Sequence, residues 1–316
     1  MRQDAEMTVI PMVMPSYIAL FESGELQKRT DAAYSLPGHC SVCPRNCGVN
    51  RLTGERGYCR GGLLPKISSY GPHFGEEPPL VGRHDSGTIF FTGCNMRCVF
   101  CQNYEISQLD NGREIACEEL ASVMLALQDR KCHNLNLVSP THFVPQILEA
   151  VLIAAGRGLH IPLVYNTGTY DSVGTLTLLD GVVDIYMPDA KYGRNEVAVA
   201  LSDAPGYFTV MSAAMKEMYR QVGDLVVSNG IASRGMIIRH LVLPDNLANS
   251  EIVMKFIAEE ISREAYVNIM DQYRPCWKVV SGSGIDFTDS LKRGIIREEY
   301  RYAVRCATEN GLKRGF

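Results

Sequence analysis

The stretch Thr88-Ile89-Phe90-Phe91-Thr92-Gly93-Cys94-Asn95-Met96-Arg97-Cys98-Val99-Phe100-Cys101-Gln102-Asn103 decides how the chain is read. Its first five residues are β-branched or aromatic, which predicts a buried strand. Gly93 breaks the strand. Three cysteines follow, Cys94-x3-Cys98-x2-Cys101, on the loop that leaves its C-terminal end. In β/α folds, loops at that end of the strands carry the chemistry. Three thiolates this close can hold three corners of a cubane iron–sulfur cluster and leave the fourth iron without a local protein ligand. Zinc would instead want four ligands, or three and a water. His73 and His84, before the strand, are the nearest histidines that could complete such a set.

Beyond this loop, short apolar runs alternate with helical patterns. Strands are expected at Thr88–Thr92, Leu135–Val138, Leu163–Asn166, Val182–Met187, Met236–Leu243 and Tyr266–Met270. Helices are expected between them. Glu118–Asp129 places Leu120, Val123, Met124 and Leu127 on one face. Pro145–Ala155 opens with a proline, which a first turn tolerates. Pro205–Val222 and Ser250–Ala265 follow, with Ser250 as an N-cap candidate. Six strand–helix units predict an α/β fold with a parallel sheet, as a partial (β/α)6 barrel open on one side. The expected division is an N-terminal helix (near Ser16–Lys28) with a Cys-rich metal-binding module over 1–85, the barrel over 86–275, and a helical tail over 276–316 with its helix around Asp289–Glu309.

The chain has 316 residues, 46% apolar, which is enough for a sizeable core. Its 31 Lys and Arg against 35 Asp and Glu give a net charge of −4, so a nucleic-acid partner is not expected. The N-terminus MRQDAEMTVIPMVMPSYIALF lacks a basic region and carries Pro11 and Pro15 in its apolar stretch, so it reads poorly as a signal peptide. No run of 18 apolar residues suggests a membrane span. A cytoplasmic setting follows, and there clustered cysteines read as metal ligands before disulfides. Seven of the 11 cysteines fall between Cys40 and Cys101.

Four of those seven form a second set, Cys40-x2-Cys43-Pro44-x2-Cys47-x11-Cys59, in a Gly- and Pro-rich loop. Four thiolates complete a shell for zinc or for a second [4Fe–4S] cluster. So small a module needs its metal to fold. Cys117, Cys132, Cys276 and Cys306 read as buried thiols.

With Phe100 directly before its last cysteine, the Cys94–Cys101 loop resembles that of the radical S-adenosylmethionine (SAM) superfamily. The resemblance implies a [4Fe–4S] cluster on Cys94, Cys98 and Cys101 whose open iron is chelated by SAM. Reductive cleavage of SAM would give a 5′-deoxyadenosyl radical that abstracts hydrogen. Other strand ends resemble the pyruvate formate-lyase activating enzyme branch: Asp189-x-Lys191 after the fourth strand, Asn166-Thr167 after the third, and Arg239-His240 on the fifth. Of the last pair Arg239 is the residue expected in the cavity, and His240 is expected in the core. Ser139-Pro140-Thr141-His142 stands where the family usually has Gly-Gly-Glu, which makes His142 a cavity candidate. Gln272 and Tyr273 stand where relatives position groups near adenine or substrate. Taken with Cys40–Cys59, the chain over 36–276 is similar to the radical SAM proteins related to that activating enzyme.

The resemblance implies a reductant such as flavodoxin or ferredoxin and a protein, peptide or small-molecule substrate, with glycyl-radical activation as one specific form. A non-catalytic zinc-binding protein is the competing reading from a different class.

Overall fold

The apolar runs gather into one sheet because each is short, β-branched and bounded by turn residues. The computed structural model describes residues 14–282 and 288–316, so residues 1–13, Pro11 among them, lie outside the described residues. The strands are β1 (Lys66–His73), β2 (Ser86–Phe91), β3 (Arg113–Glu114), β4 (Leu135–Val138), β5 (Leu163–Thr167), β6 (Ile185–Pro188), β7 (Val226–Ser228), β8 (Ile231–Leu241) and β9 (Tyr266–Met270). Their order is β3-β1-β2-β4-β5-β6-β8, and both β7 and β9 pair with β8. From β2 through β4, β5, β6 and β8 to β9 every pairing is parallel. The fold is therefore α/β with a mostly parallel sheet, and helices fill the crossovers.

β4 and β9 occupy the expected residues. β6 begins later than expected, because Val182 and Val183 belong to the turn before Asp184. Three strands joined antiparallel went unexpected, β1, its edge partner β3, and β7. β1 pairs with β2, so Lys66–His73 joins the main sheet although it precedes residue 86. β7 and β8 form a hairpin through Asn229 (φ 52°) and Gly230 (φ 82°), the left-handed pair of a tight primed turn.

Helix bounds differ for local reasons. The N-terminal helix is two, Ser16–Glu22 and Glu25–Ala33, divided at Gly24 (φ 75°). Cys117–Asp129 buries Leu120, Val123, Met124 and Leu127, as their spacing implied. Val144–Gly156 carries its proline in the first turn. Asn195–Ser202 is a separate helix before Tyr207–Val222. Ser250 is the first helical residue rather than the cap, and its hydroxyl bonds His240 Nε2 at 2.9 Å instead. The tail helix is Arg297–Glu309, after a short Thr288–Leu291 turn of helix.

Strand alternation sorts the core into two layers. Leu135, Leu137, Tyr165, Tyr186, Ile238, Val267 and Ile269 face the helices. Val164, Ile185, Met187 and Ile237 face the other way, onto Leu80 of the Pro78–Val81 turn. Asn166, Asp189 and Arg239 follow Val164, Met187 and Ile237 by two residues, so the polar strand ends share this second face. No helix among the described residues is long and apolar enough to cross a membrane.

Candidate functional site

The Cys94–Cys101 loop leaves β2 and rests on the C-terminal end of helix Asn195–Ser202. Arg97 N–H donates to the Ser202 carbonyl at 2.8 Å and Val99 N–H to that of Leu201 at 2.9 Å. Each thiol has a hydrogen-bond partner of its own. Met96 N–H donates to Cys94 Sγ at 3.4 Å, and the Ser202 hydroxyl to Cys98 Sγ at 3.0 Å. Cys101 Sγ lies 3.2 Å from the Ser107 hydroxyl, which donates once the sulfur is a thiolate. Burial pushes the Cys94 thiol up to about 12, with Cys98 and Cys101 adding and Lys191 opposing. Cys101 is pushed up to about 11 by burial and then by Cys98. The three sulfurs therefore sit within electrostatic reach of one another and of one lysine. Phe100 is buried with its ring edge-on to Tyr273, 5.7 Å between centroids.

Beside the thiols stands a charged set drawn from three strand ends. Asp189 accepts Arg239 Nε at 2.8 Å on one oxygen and Lys191 Nζ at 2.6 Å on the other. Arg239 also donates to Asn166 Oδ1 at 2.7 Å. Burial alone would raise the Asp189 carboxyl, but Arg239 and then Lys191 outweigh it and hold it below the usual range. Tyr207 ties the corner together: its hydroxyl donates to the Asp189 and Gly168 carbonyls at 2.8 and 3.0 Å and accepts Lys191 N–H at 3.1 Å. Glu77 approaches the same face, where Asn268 Nδ2 donates to its carboxylate at 2.7 Å. Tyr207, Glu77, Ser107 and Ser202 were not singled out in the sequence; Glu77 and Ser202 lie 191 and 104 residues from their partners, while Ser107 lies only six from Cys101.

Thr167 belongs to a neighbouring network. Buried Asp171 accepts the Thr141, Thr167 and Tyr165 hydroxyls at 2.7, 2.6 and 2.9 Å. His142 sits apart from the charged set: it is 1% exposed and its Nε2 lies 2.9 Å from the Thr92 carbonyl. Burial pushes its pKa down to about 4, so it is a neutral ring wedged behind the cysteine loop. Gln272 is exposed, and its carbonyl accepts Gln102 Nε2 at 3.4 Å. His240 is wholly buried, with Nδ1 against the Ala190 carbonyl at 2.7 Å. Asp184 caps the first helix, accepting Ser16 N–H at 2.8 Å.

The second cysteine set packs directly on the first. Cys40, Cys43 and Cys59 are buried and Cys47 is exposed. Burial pushes Cys43 up to about 12 and raises Cys59, with Cys40 adding to both and Cys47 to Cys59, so the four share one neighbourhood. Gly57 is required there, because a Cβ on it would lie 2.5 Å from Cys47 Sγ. Tyr58 is held between two guanidiniums, Arg45 at 3.7 Å and Arg97 at 4.1 Å from its ring centroid. Arg45 Nε donates to the Asn95 carbonyl at 2.9 Å.

Cysteine sulfurs are soft donors of the kind that iron–sulfur clusters and zinc take. Among the described residues no three His, Cys, Asp or Glu side chains close on a single ion. A cubane does not ask this of them, since each thiolate binds its own iron.

The family model described as Radical SAM superfamily matches residues 88–236. An uncharacterized protein of Methanocaldococcus jannaschii is 35% identical over 300 residues, covering 91% of this chain and 79% of that protein. A second uncharacterized protein of the same organism is 24% identical over 293 residues, with 87% and 79% covered. Among solved structures, a radical SAM methyltransferase from Sphaerobacter thermophilus aligns at 14% identity and TM-score 0.49, covering 72% of this chain and 64% of its own. The structure titled native anSMEcpe with bound AdoMet aligns at 12% identity and TM-score 0.45, covering 76% and 62%. The chain thus spans less than two thirds of either solved chain.

Proposed function

Because the chain carries a radical SAM superfamily domain at residues 88–236 and belongs to the same family as the Methanocaldococcus jannaschii protein 35% identical to it, we propose that Cys94, Cys98 and Cys101 hold a [4Fe–4S] cluster that binds SAM. When bound, such a cluster supplies the electron that splits the S–C5′ bond of SAM, and the resulting 5′-deoxyadenosyl radical removes hydrogen from a protein, peptide or small-molecule substrate. The observation that carries this reading is the loop itself: three thiols, each with its own hydrogen-bond partner, beside Lys191.

The remaining roles fall to this chain's own side chains. Met96 N–H, Ser202 and Ser107 fix the three sulfurs and moderate their negative charge. Lys191 and Arg239, linked through Asp189, present fixed cations on the face where an amino-acid carboxylate would lie. Asn166, held by Arg239, and Thr167 line the adjoining strand end, with Gln272 at the end of β9. Phe100 on Tyr273 keeps water from the loop's underside. His142 acts from behind, as a positioning residue for the Thr92–Gly93 turn. The six parallel strands are proposed to curl into a partial (β/α)6 barrel around this face. Cys40, Cys43, Cys47 and Cys59 are proposed to hold a second metal centre, [4Fe–4S] or zinc. A cytoplasmic one-electron donor such as flavodoxin or ferredoxin would serve as reductant.

The test is iron and sulfide analysis with spin resonance on anaerobically reconstituted protein. The reading expects a reduced [4Fe–4S] signal that changes when SAM is added and that Cys98→Ala abolishes. Colourless protein holding only zinc would establish the non-catalytic zinc-binding reading instead. A glycyl radical on a co-incubated protein would narrow the activity to an activase.

A further inference from the structure

Arg51 lies in a short turn between Cys47 and Cys59 and is 1% exposed. Its Nε and one terminal nitrogen donate to the Gly62 carbonyl at 2.9 and 2.6 Å, and the other terminal nitrogen to the His142 carbonyl at 2.8 Å. The Phe143 ring lies 5.6 Å from it. All of these are neutral. Among the described residues no carboxylate forms an ion pair with it. The guanidinium cannot shed its proton. A buried charge with satisfied hydrogen bonds but no counter-charge is strongly disfavoured unless the fold supplies one.

The anionic groups at hand are sulfurs. Gly61, which flanks the guanidinium, donates its N–H to Cys59 Sγ at 3.4 Å. The backbone beside Cys59 is moulded to the guanidinium: a Cβ on Gly61 would lie 3.1 Å from an Arg51 terminal nitrogen. Four thiolates outweigh the positive charge of a zinc ion or of an oxidised cubane core, so either metal leaves a net anionic centre here.

We propose that Arg51 is the buried countercharge of a metal–thiolate centre formed by Cys40, Cys43, Cys47 and Cys59, so that metal loading and the guanidinium stabilise each other. The proposal rests on the reading of these four cysteines as a metal site, and it holds for either metal.

The experiment uses the full-length chain with Cys94, Cys98 and Cys101 all replaced by alanine, so that iron and zinc report the second site alone. Metal content and thermal midpoint are measured for this parent and for its Arg51→Gln and Arg51→Lys variants, as purified anaerobically and after chelator treatment. Arg51→Gln should lose more than half of the bound metal and lower the midpoint of the loaded protein well beyond its effect on the stripped protein. The loss of carbonyl partners falls on both states and cancels in that difference. Arg51→Lys, which keeps the charge, should retain most of the metal. Equal midpoint shifts in both states with full metal in Arg51→Gln would overturn the proposal and leave Arg51 as a hydrogen-bond anchor. A parent that binds no metal would sink the reading of the four cysteines themselves, and the proposal with it.

Discussion

The carbonyl oxygen of Cys59 faces Gly93 so closely that a Cβ on Gly93 would stand 2.3 Å from it. Gly93 also has φ 85°, a left-handed conformation that favours glycine. On the other side of Cys94, the Asn95 carbonyl accepts Arg45 Nε at 2.9 Å, from the loop between Cys43 and Cys47. Both neighbours of Cys94 therefore touch the segment that carries the second cysteine set. Gly93→Ala should cost the conformational penalty of ~1–2 kcal/mol and more for displacing Cys59. Thermal unfolding checks the loss. Metal analysis should show both cysteine sets affected together, and loss confined to one set would contradict the contact.

Asp189 pairs with both Arg239 and Lys191, and all three side chains are mostly buried. Asp189→Asn leaves two cations side by side without their carboxylate. The expected cost is about 3 kcal/mol, toward the lower part of the range for breaking a buried pair because some exposure remains. Urea unfolding measures it. Restoring part of the loss with Asp189→Asn combined with Arg239→Met would confirm that repulsion is the cause.

Ser202 donates to Cys98 Sγ and lies 2.6 Å from the Tyr192 hydroxyl, so a chain of hydroxyls ends on one sulfur. Ser202→Ala removes the donor that stabilises added negative charge. The reduction potential of the Cys94–Cys98–Cys101 centre should fall, with only about 1 kcal/mol of folding stability lost. A redox titration followed by spin resonance reads the shift, and an unchanged potential would refute it.

His240 and His142 are both pushed down to about 4 by burial, from an ordinary value of 6.5. Between those values the unfolded chain binds a proton at each that the folded chain does not. The stability each contributes is complete above pH 6.5 and falls as pH drops toward 4, by about 1.4 kcal/mol per unit in each case. For His240 the Ala190 carbonyl and Glu251 act the other way without reversing the sign. His240→Asn should remove about half of this acid sensitivity. Denaturant midpoints for the two proteins at several pH values give the difference; parallel curves would contradict it.

The parallel core was legible because its strands are short apolar runs separated by helical patterns. β1 was not, since Gly71 and Pro72 break its strand pattern. The β7–β8 hairpin left a signal in Asn229-Gly230 that went unused. Within the site, cysteine spacing is local and visible. Ser202 lies 104 residues from Cys98, and Tyr207 lies 18 from Asp189, so their roles exist only once the chain folds. His142 reads in sequence as a loop residue free to face a cavity. In the structure its ring meets the Thr92 carbonyl, and that strand–loop packing leaves no trace in spacing.

The central claim is that Cys94, Cys98 and Cys101 support reductive cleavage of SAM. Its most direct test is chromatography of anaerobic reactions containing reconstituted protein, SAM and a low-potential reductant. 5′-Deoxyadenosine should accumulate with the wild-type chain and be absent when the three cysteines are replaced by alanine. No 5′-deoxyadenosine from wild-type protein carrying a complete [4Fe–4S] cluster would contradict it.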